Sequence, residues 1–148
     1  MSDDWIDILS VPLPTAQAID FVSDPRAGGI AIFLGTTRFE KNAQGQDLAA
    51  LDYEAYLEMA LPQLQTLAQA SRSQWPIVKQ VILHRAGRVA LSQPSVLIAV
   101  ASPHRHEAFA ACQFIIDAIK ADVAIWKKEI WADGSGTWVK PQIPQSNP

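Results

Sequence analysis

The stretch SVLIAVASPHRHEAFAACQFIIDAIKADVAIWKKEIW, residues 95–131, decides the fold. Ser95–Ala101 is almost wholly apolar, the pattern of a central strand covered on both faces. Ser102-Pro103 then makes a helix start, with serine as N-cap and proline at the first helical position. The helix runs from about Pro103 to Ala121, with Phe109, Cys112, Ile116 and Ile119 on an apolar stripe. Ala124–Trp131 returns as a strand. Regular structure therefore brackets the charged residues at both ends of the helix.

Outward from this unit, Trp5–Val11 alternates weakly and predicts a first strand, and Pro14-Thr15 starts a short helix through Val22. Asp24–Gly29 is a turn. Ile30–Leu34 is a short apolar run that predicts a buried strand ending at Gly35. Residues 39–47, FEKNAQGQD, are polar and predict a mobile loop. Leu48–Tyr56 alternates as a half-buried strand. Leu57, Leu61, Leu64, Leu67 and Ala68 fall at helical spacing. Pro62 fits only near a first turn, which predicts a helix starting at Glu58 or later. Ile77–Arg85 alternates as a strand, and Gly87 with Ser92-Gln93-Pro94 punctuates the next connection. Asp133–Gly136 is a turn and Thr137–Lys140 a short strand. Helices alternate with strands, and hairpin-like pieces are mixed in. The pattern predicts an α+β (mixed α/β) fold, a single domain over residues 1–140. The proline-rich tail, residues 141–148, is expected to be flexible.

A chain of 148 residues buries roughly two-thirds of its unfolded surface and needs no staple. The net charge of −3 and the pI near 5.5 argue against a nucleic-acid binder, which would carry a broad basic stripe. No apolar run approaches the ~18 residues of a membrane span. The start, MSDDWIDILS, is acidic rather than signal-like, so the expected location is the cytoplasm. The single Cys112 excludes an internal disulfide and a Cys-rich zinc site, and its apolar neighbours predict an inert core thiol. His104 and His106 stand two apart on a helix and diverge, while His84 ends a strand without a partner nearby in sequence. No metal is expected.

Positive charge gathers against the acidic balance in Ser102–Glu129. His104 and Arg105 occupy a first helical turn, where free N–H groups and the helix dipole favour an anion. Two readings stand, an anion clamp or a solvated pair beside Glu107. Lys120 lies in the last turn, where a lysine complements the dipole. On the following strand Lys127 shares a face with Ile125 and Glu129, and Lys128 shares the other with Trp126 and Ile130. Lys127 and Lys128 therefore cannot both reach one site, but the short link lets Lys120 and one of them converge. Two ammonium groups held together depress each other's pKa and favour a neutral amine. Arg38 follows Gly35-Thr36-Thr37 where a strand meets a polar loop, a position suited to a substrate-binding arginine or an ordinary surface one.

Three patterns together resemble the catalytic (large) subunit of molybdopterin synthase, the MoaE-type family, over nearly the whole chain. They are GGIAIFLGTTR at 28–38, ILHRAGRVALSQPSVLIAVASPHRHEAF at 82–109, and IKADVAIWKKE at 119–129. Two departures stand out. Ala124 replaces a usual proline, which is expected to loosen the link between the lysines, and Thr37 replaces a usual valine.

The resemblance implies a hammerhead-like arrangement, a mixed sheet flanked by helices with a small β subdomain. It implies a sulfurtransferase of molybdenum cofactor biosynthesis that converts cyclic pyranopterin monophosphate (precursor Z) to molybdopterin by forming a dithiolene. The implied sulfur source is a thiocarboxylate on the C-terminal Gly-Gly of a small ubiquitin-like partner subunit, with no cofactor of the chain's own. The implied assembly is a homodimer of large subunits within a heterotetramer. Lys120 and Lys127 match the family's catalytic lysines. His104 and Arg105 match residues of the pterin-phosphate pocket, with Arg38 a further anion contact, and such pockets can be completed across the dimer. Two other classes fit the residues less closely. One is a non-catalytic anion- or C-terminal-tail-binding module. The other is a Schiff-base enzyme using Lys120, for which no carbonyl-stabilising acid/base pair is evident.

Overall fold

A computed structural model describes residues 2–139. Eight strands and three helices follow in the order β1 (Asp4–Leu9), α1 (Thr15–Val22), β2 (Gly29–Thr36), β3 (Leu48–Ala55), α2 (Leu57–Gln74), β4 (Lys79–Arg85), β5 (Gly87–Ala90), β6 (Pro94–Ser102), α3 (Arg105–Asp122), β7 (Ile125–Trp131) and β8 (Gly136–Trp138). The expected residues 141–148 lie outside the described part. The strands form two four-stranded sheets, ordered β1-β4-β6-β2 and β5-β3-β7-β8. In the first sheet only β1 and β4 are parallel; the second is wholly antiparallel. The fold is the expected α+β class, and its small β unit is a full second sheet. Among the described residues no helix is long and apolar enough to cross a membrane.

The first sheet carries the main core. Helices α2 and α3 cover one face, where Leu64, Ile82, Ile98 and Ile115 are fully buried. Each such side chain contributes roughly 1.5–3 kcal/mol by leaving water. On the other face α1 packs Ala18 and Val22 against Val81, Leu83, Leu97 and Ala99. Strand β6 is thus apolar throughout Val96–Ala101 because both of its faces are covered, as its sequence predicts.

Four expectations are corrected. Ile30, Ile32 and Leu34 are not buried but about 40% exposed, because β2 is an edge strand beyond the reach of α1. Pro62 sits in the second turn of α2, not the first. The hydrogen bond it forfeits is to the carbonyl of Glu58, and both residues are on the exposed side where water can replace it. Gly87 does not merely punctuate a connection; it opens β5, whose partner is Tyr53 on β3. Lastly, α3 begins at Arg105 with His104 as N-cap and no capping side chain. Ser102 instead extends β6 by pairing with Gly29, and the ladder wins over the cap.

That pairing explains the Gly28-Gly29 pair. The Gly28 N–H donates to the Ser102 carbonyl at 3.0 Å. A Cβ on Gly29 would stand 2.9 Å from the Arg105 Cα, and one on Gly28 would strike the Pro103 carbonyl. The two glycines let β2 run under the start of α3 and fix where His104 and Arg105 emerge.

Thr37 is buried, and its Oγ1 has no hydrogen-bond partner among the described residues. A methyl group in place of the hydroxyl would leave no polar atom unpaired there. Thr37→Val is therefore expected to stabilise the fold by about 1 kcal/mol, read as a higher urea midpoint at unchanged slope. A lower midpoint would show that the hydroxyl is partnered.

Candidate active site

Helix α3 ends against the second sheet. Its last turn carries Lys120, and Val123-Ala124 leads directly into β7 with Lys127. The link is tied at both sides. The Ala124 N–H donates to Gln63 Oε1 at 2.7 Å, and the Tyr56 N–H donates to the Ala124 carbonyl at 3.2 Å. A proline at 124 could not make the first of these bonds. The alanine therefore replaces ring stiffness with a hydrogen bond to α2.

A cleft of about 580 Å³ opens between the two sheets beneath the end of α3. Lys120 and Lys127 both line it, together with Arg38 and Glu40 from the segment after β2. The register across β3 and β7 sets Lys127 directly opposite Tyr53, on the cleft side with Ile125 and Glu129. Lys128 points the other way, its Nζ 5.6 Å from the centre of the Trp138 ring. The alternation read from the sequence thus separates the two neighbouring lysines as expected.

The electrostatics follow from this crowding. Burial lowers the Lys127 pKa, and the Lys120 ammonium lowers it further; Arg38 adds in the same direction, while Glu129 and Glu40 oppose. Glu129 is raised by burial and by the neighbouring Glu40 carboxylate. Arg38 is largely exposed and ion-pairs with Glu40 at 3.0 Å. The cleft thus offers two lysines and an arginine to an anionic guest, and one of the lysines is pressed toward its neutral form.

His104 and Arg105 lie elsewhere. They are exposed at the opposite end of α3, fifteen residues from Lys120, or about 22 Å along the helix. The two groups do not form opposite walls of one pocket within a single chain. Arg105 stands instead beside Gly29, at the start of the exposed edge strand β2.

Sequence reading missed four cleft residues: Glu40, Tyr53, His84 and Glu129. Glu129 was legible as a neighbour of Lys127 on one strand face. The other three come from elements whose pairing no local pattern states. Cys112 is buried and unpaired, and burial pushes its thiol up to about 11. Such a group is a poor nucleophile.

Comparison with known proteins places this geometry. The family model described as MoaE protein matches residues 8–122. The chain belongs to the MoaE family. The molybdopterin synthase catalytic subunit of a Nostoc species is 41% identical over 138 residues, covering 93% of this chain and 82% of that protein. The crystal structure of molybdopterin synthase from Staphylococcus aureus superposes with a TM-score of 0.83 at 35% identity, covering 95% of this chain and 98% of that one. A complex of subunits 1 and 2 of molybdopterin-converting factor from Helicobacter pylori shares the fold at a TM-score of 0.77 and 18% identity, over 96% of this chain and 93% of that one. The MoaE-family match spans the β2 edge, the start of α3 and Lys120.

Proposed function

We propose that this MoaE-family chain is the catalytic subunit of a molybdopterin synthase, converting cyclic pyranopterin monophosphate to molybdopterin. One observation carries the reading. Lys120 and Lys127 come from different elements yet converge in one cleft with Arg38, where Lys127 is pressed toward a neutral amine. A thiocarboxylate needs cations to hold it, and the oxyanion that develops as its sulfur is transferred needs donors already in place. A neutral amine beside an ammonium can also move a proton at the pterin side chain.

The sulfur arrives as a thiocarboxylate on the C-terminus of a small ubiquitin-like subunit and bonds to a pterin side-chain carbon, displacing that carbon's oxygen substituent; water then cleaves the acyl–sulfur bond, leaving the sulfur on the pterin and the partner's C-terminus as a carboxylate. Two such transfers make the dithiolene. The chain brings no cofactor of its own, and the reaction takes place in the cytoplasm.

His104 and Arg105 then serve the neighbouring chain of a homodimer, within a heterotetramer that carries a small subunit at each end. Two features support this placement. The pair is too far from the lysines of its own chain, and it adjoins the exposed row Ile30, Ile32 and Leu34 on an edge strand. Such a row is a natural surface for a second copy.

The competing reading is a module that only holds the partner's tail. Both readings predict a stable complex with the small subunit. They part when the purified chain, the thiocarboxylated partner and cyclic pyranopterin monophosphate are combined. The enzyme reading requires dithiolene product with multiple turnovers; a complex that binds the tail and yields none would leave only the module. Cys112→Ala is expected to form product at the wild-type rate within about twofold, because a buried thiol pushed to about 11 takes no part. A folded Cys112→Ala protein that fails to transfer sulfur would assign the thiol a role.

A further inference from the structure

The cleft contains a buried imidazole that the proposed chemistry does not use. His84, the penultimate residue of β4, lines the cleft and is 6% exposed. Its Nδ1 lies 2.9 Å from the carbonyl oxygen of Arg85. A carbonyl can only accept, so Nδ1 carries the proton and Nε2 is left with a bare lone pair. The ring is held by the edge of Tyr53 at 5.0 Å between centroids. Ser95 lies beside Tyr53 and donates to the Gly35 carbonyl at 3.3 Å, so the surrounding hydroxyls are already engaged. Among the described residues Nε2 has no hydrogen-bond partner.

Lys120, Lys127 and Arg38 bring donors to this cleft, and its carboxylate acceptors, Glu40 and Glu129, lie beside Arg38 and Lys127 rather than beside the imidazole. A ligand there must supply acceptors to the cations. To satisfy the imidazole it must also supply a neutral donor. We propose that His84 is an acceptor subsite that selects a ligand carrying an uncharged N–H close to its anionic group.

Burial first, and then the Lys120 charge, push the His84 pKa down to about 4, so the imidazole stays neutral at working pH. So weak a base accepts a hydrogen bond without keeping the proton. The inference rests on the sulfur-transfer reading, whose two ligands both carry such a donor. One is a backbone amide of the partner's C-terminal tail; the other is a ring or amino N–H of the pterin.

Two amide substitutions separate the ring's functions. His84→Asn keeps a donor at the position of Nδ1 and loses the acceptor at Nε2. His84→Gln places a carbonyl oxygen where Nε2 stands. Calorimetric titration would use two probes, a peptide ending in Gly-Gly carboxylate and cyclic pyranopterin monophosphate. Affinity for one of them is expected to fall about tenfold in the Asn variant, the size of one hydrogen bond, and to return to within about threefold in the Gln variant. The probe that responds identifies the source of the donor. Unchanged affinity for both probes in a folded Asn variant would overturn the subsite. Equal losses in Asn and Gln would do so too, by showing that only packing matters.

A wild-type protein that binds neither probe would sink the sulfur-transfer reading instead. The acceptor assignment would then be decided by the imidazole ¹⁵N resonances of the intact protein. A protonated Nδ1 with a bare Nε2 at pH 7 is expected, and a protonated Nε2 would refute it.

Discussion

Lys120→Ala and Lys127→Ala are each expected to lower turnover by about 10²–10³-fold while leaving the small subunit bound. The size is that of losing one preorganised donor or one proton-transfer group. Both residues line the cleft without filling the core, so neither change creates a buried cavity. The two losses should not add. The Lys120 ammonium depresses Lys127, so removing Lys120 changes the protonation of the lysine that remains. In Lys120→Met the titration midpoint of Lys127 should rise, because one of the three influences lowering it is gone while burial and Arg38 remain. Lysine ¹⁵N resonances followed against pH would show the rise. Lys128 is the internal control. It faces Trp138 rather than the cleft, and Lys128→Ala should retain turnover within about threefold. Equal damage at 127 and 128 would mean that the strand matters and the cleft does not.

The second large effect concerns assembly. Arg105→Ala alone and Lys120→Ala alone should both be nearly inactive, yet unfolding and refolding them together should restore about a quarter of wild-type activity. Random pairing gives about half mixed dimers, and in each of those one pocket holds two intact partners and the other holds none. A pocket built within one chain predicts no recovery at all. The distance decides which outcome is expected: about 22 Å of rigid helix separates the two groups in one chain, and no rotamer closes that gap. An activity assay across a series of mixing ratios reads the result directly, with the maximum at equal amounts.

Much of this was legible in the sequence, for physical reasons that differ from element to element. Strand β6 was readable because burial on both faces leaves Val96–Ala101 wholly apolar, and β7 because alternation assigns Lys127 and Lys128 to opposite sides. The start of α3 misled. Ser102-Pro103 is a good local cap, but Gly29 offers Ser102 a ladder partner, and long-range pairing wins over local preference. The apolar run Ile30–Leu34 read as buried because composition cannot tell a covered strand face from one awaiting a partner. The cleft was half legible. Its lysines sit on one continuous helix–strand unit, so spacing alone brought them near each other. His84 and Tyr53 come from different sheets, and their contact is a packing between those sheets, which no local pattern encodes. The His104-Arg105 pair is close to Lys120 in sequence, but the helix between them holds the two apart within one chain.

The central claim is that this cleft moves sulfur from a partner's thiocarboxylate onto the pterin. A single-turnover reaction with ³⁴S-labelled thiocarboxylated partner, unlabelled protein and cyclic pyranopterin monophosphate tests it most directly. Mass spectrometry of the dithiolene product should show both sulfur atoms labelled, in the wild type and in Cys112→Ala alike. Unlabelled sulfur in the product, or no dithiolene from a folded complex, would contradict the account.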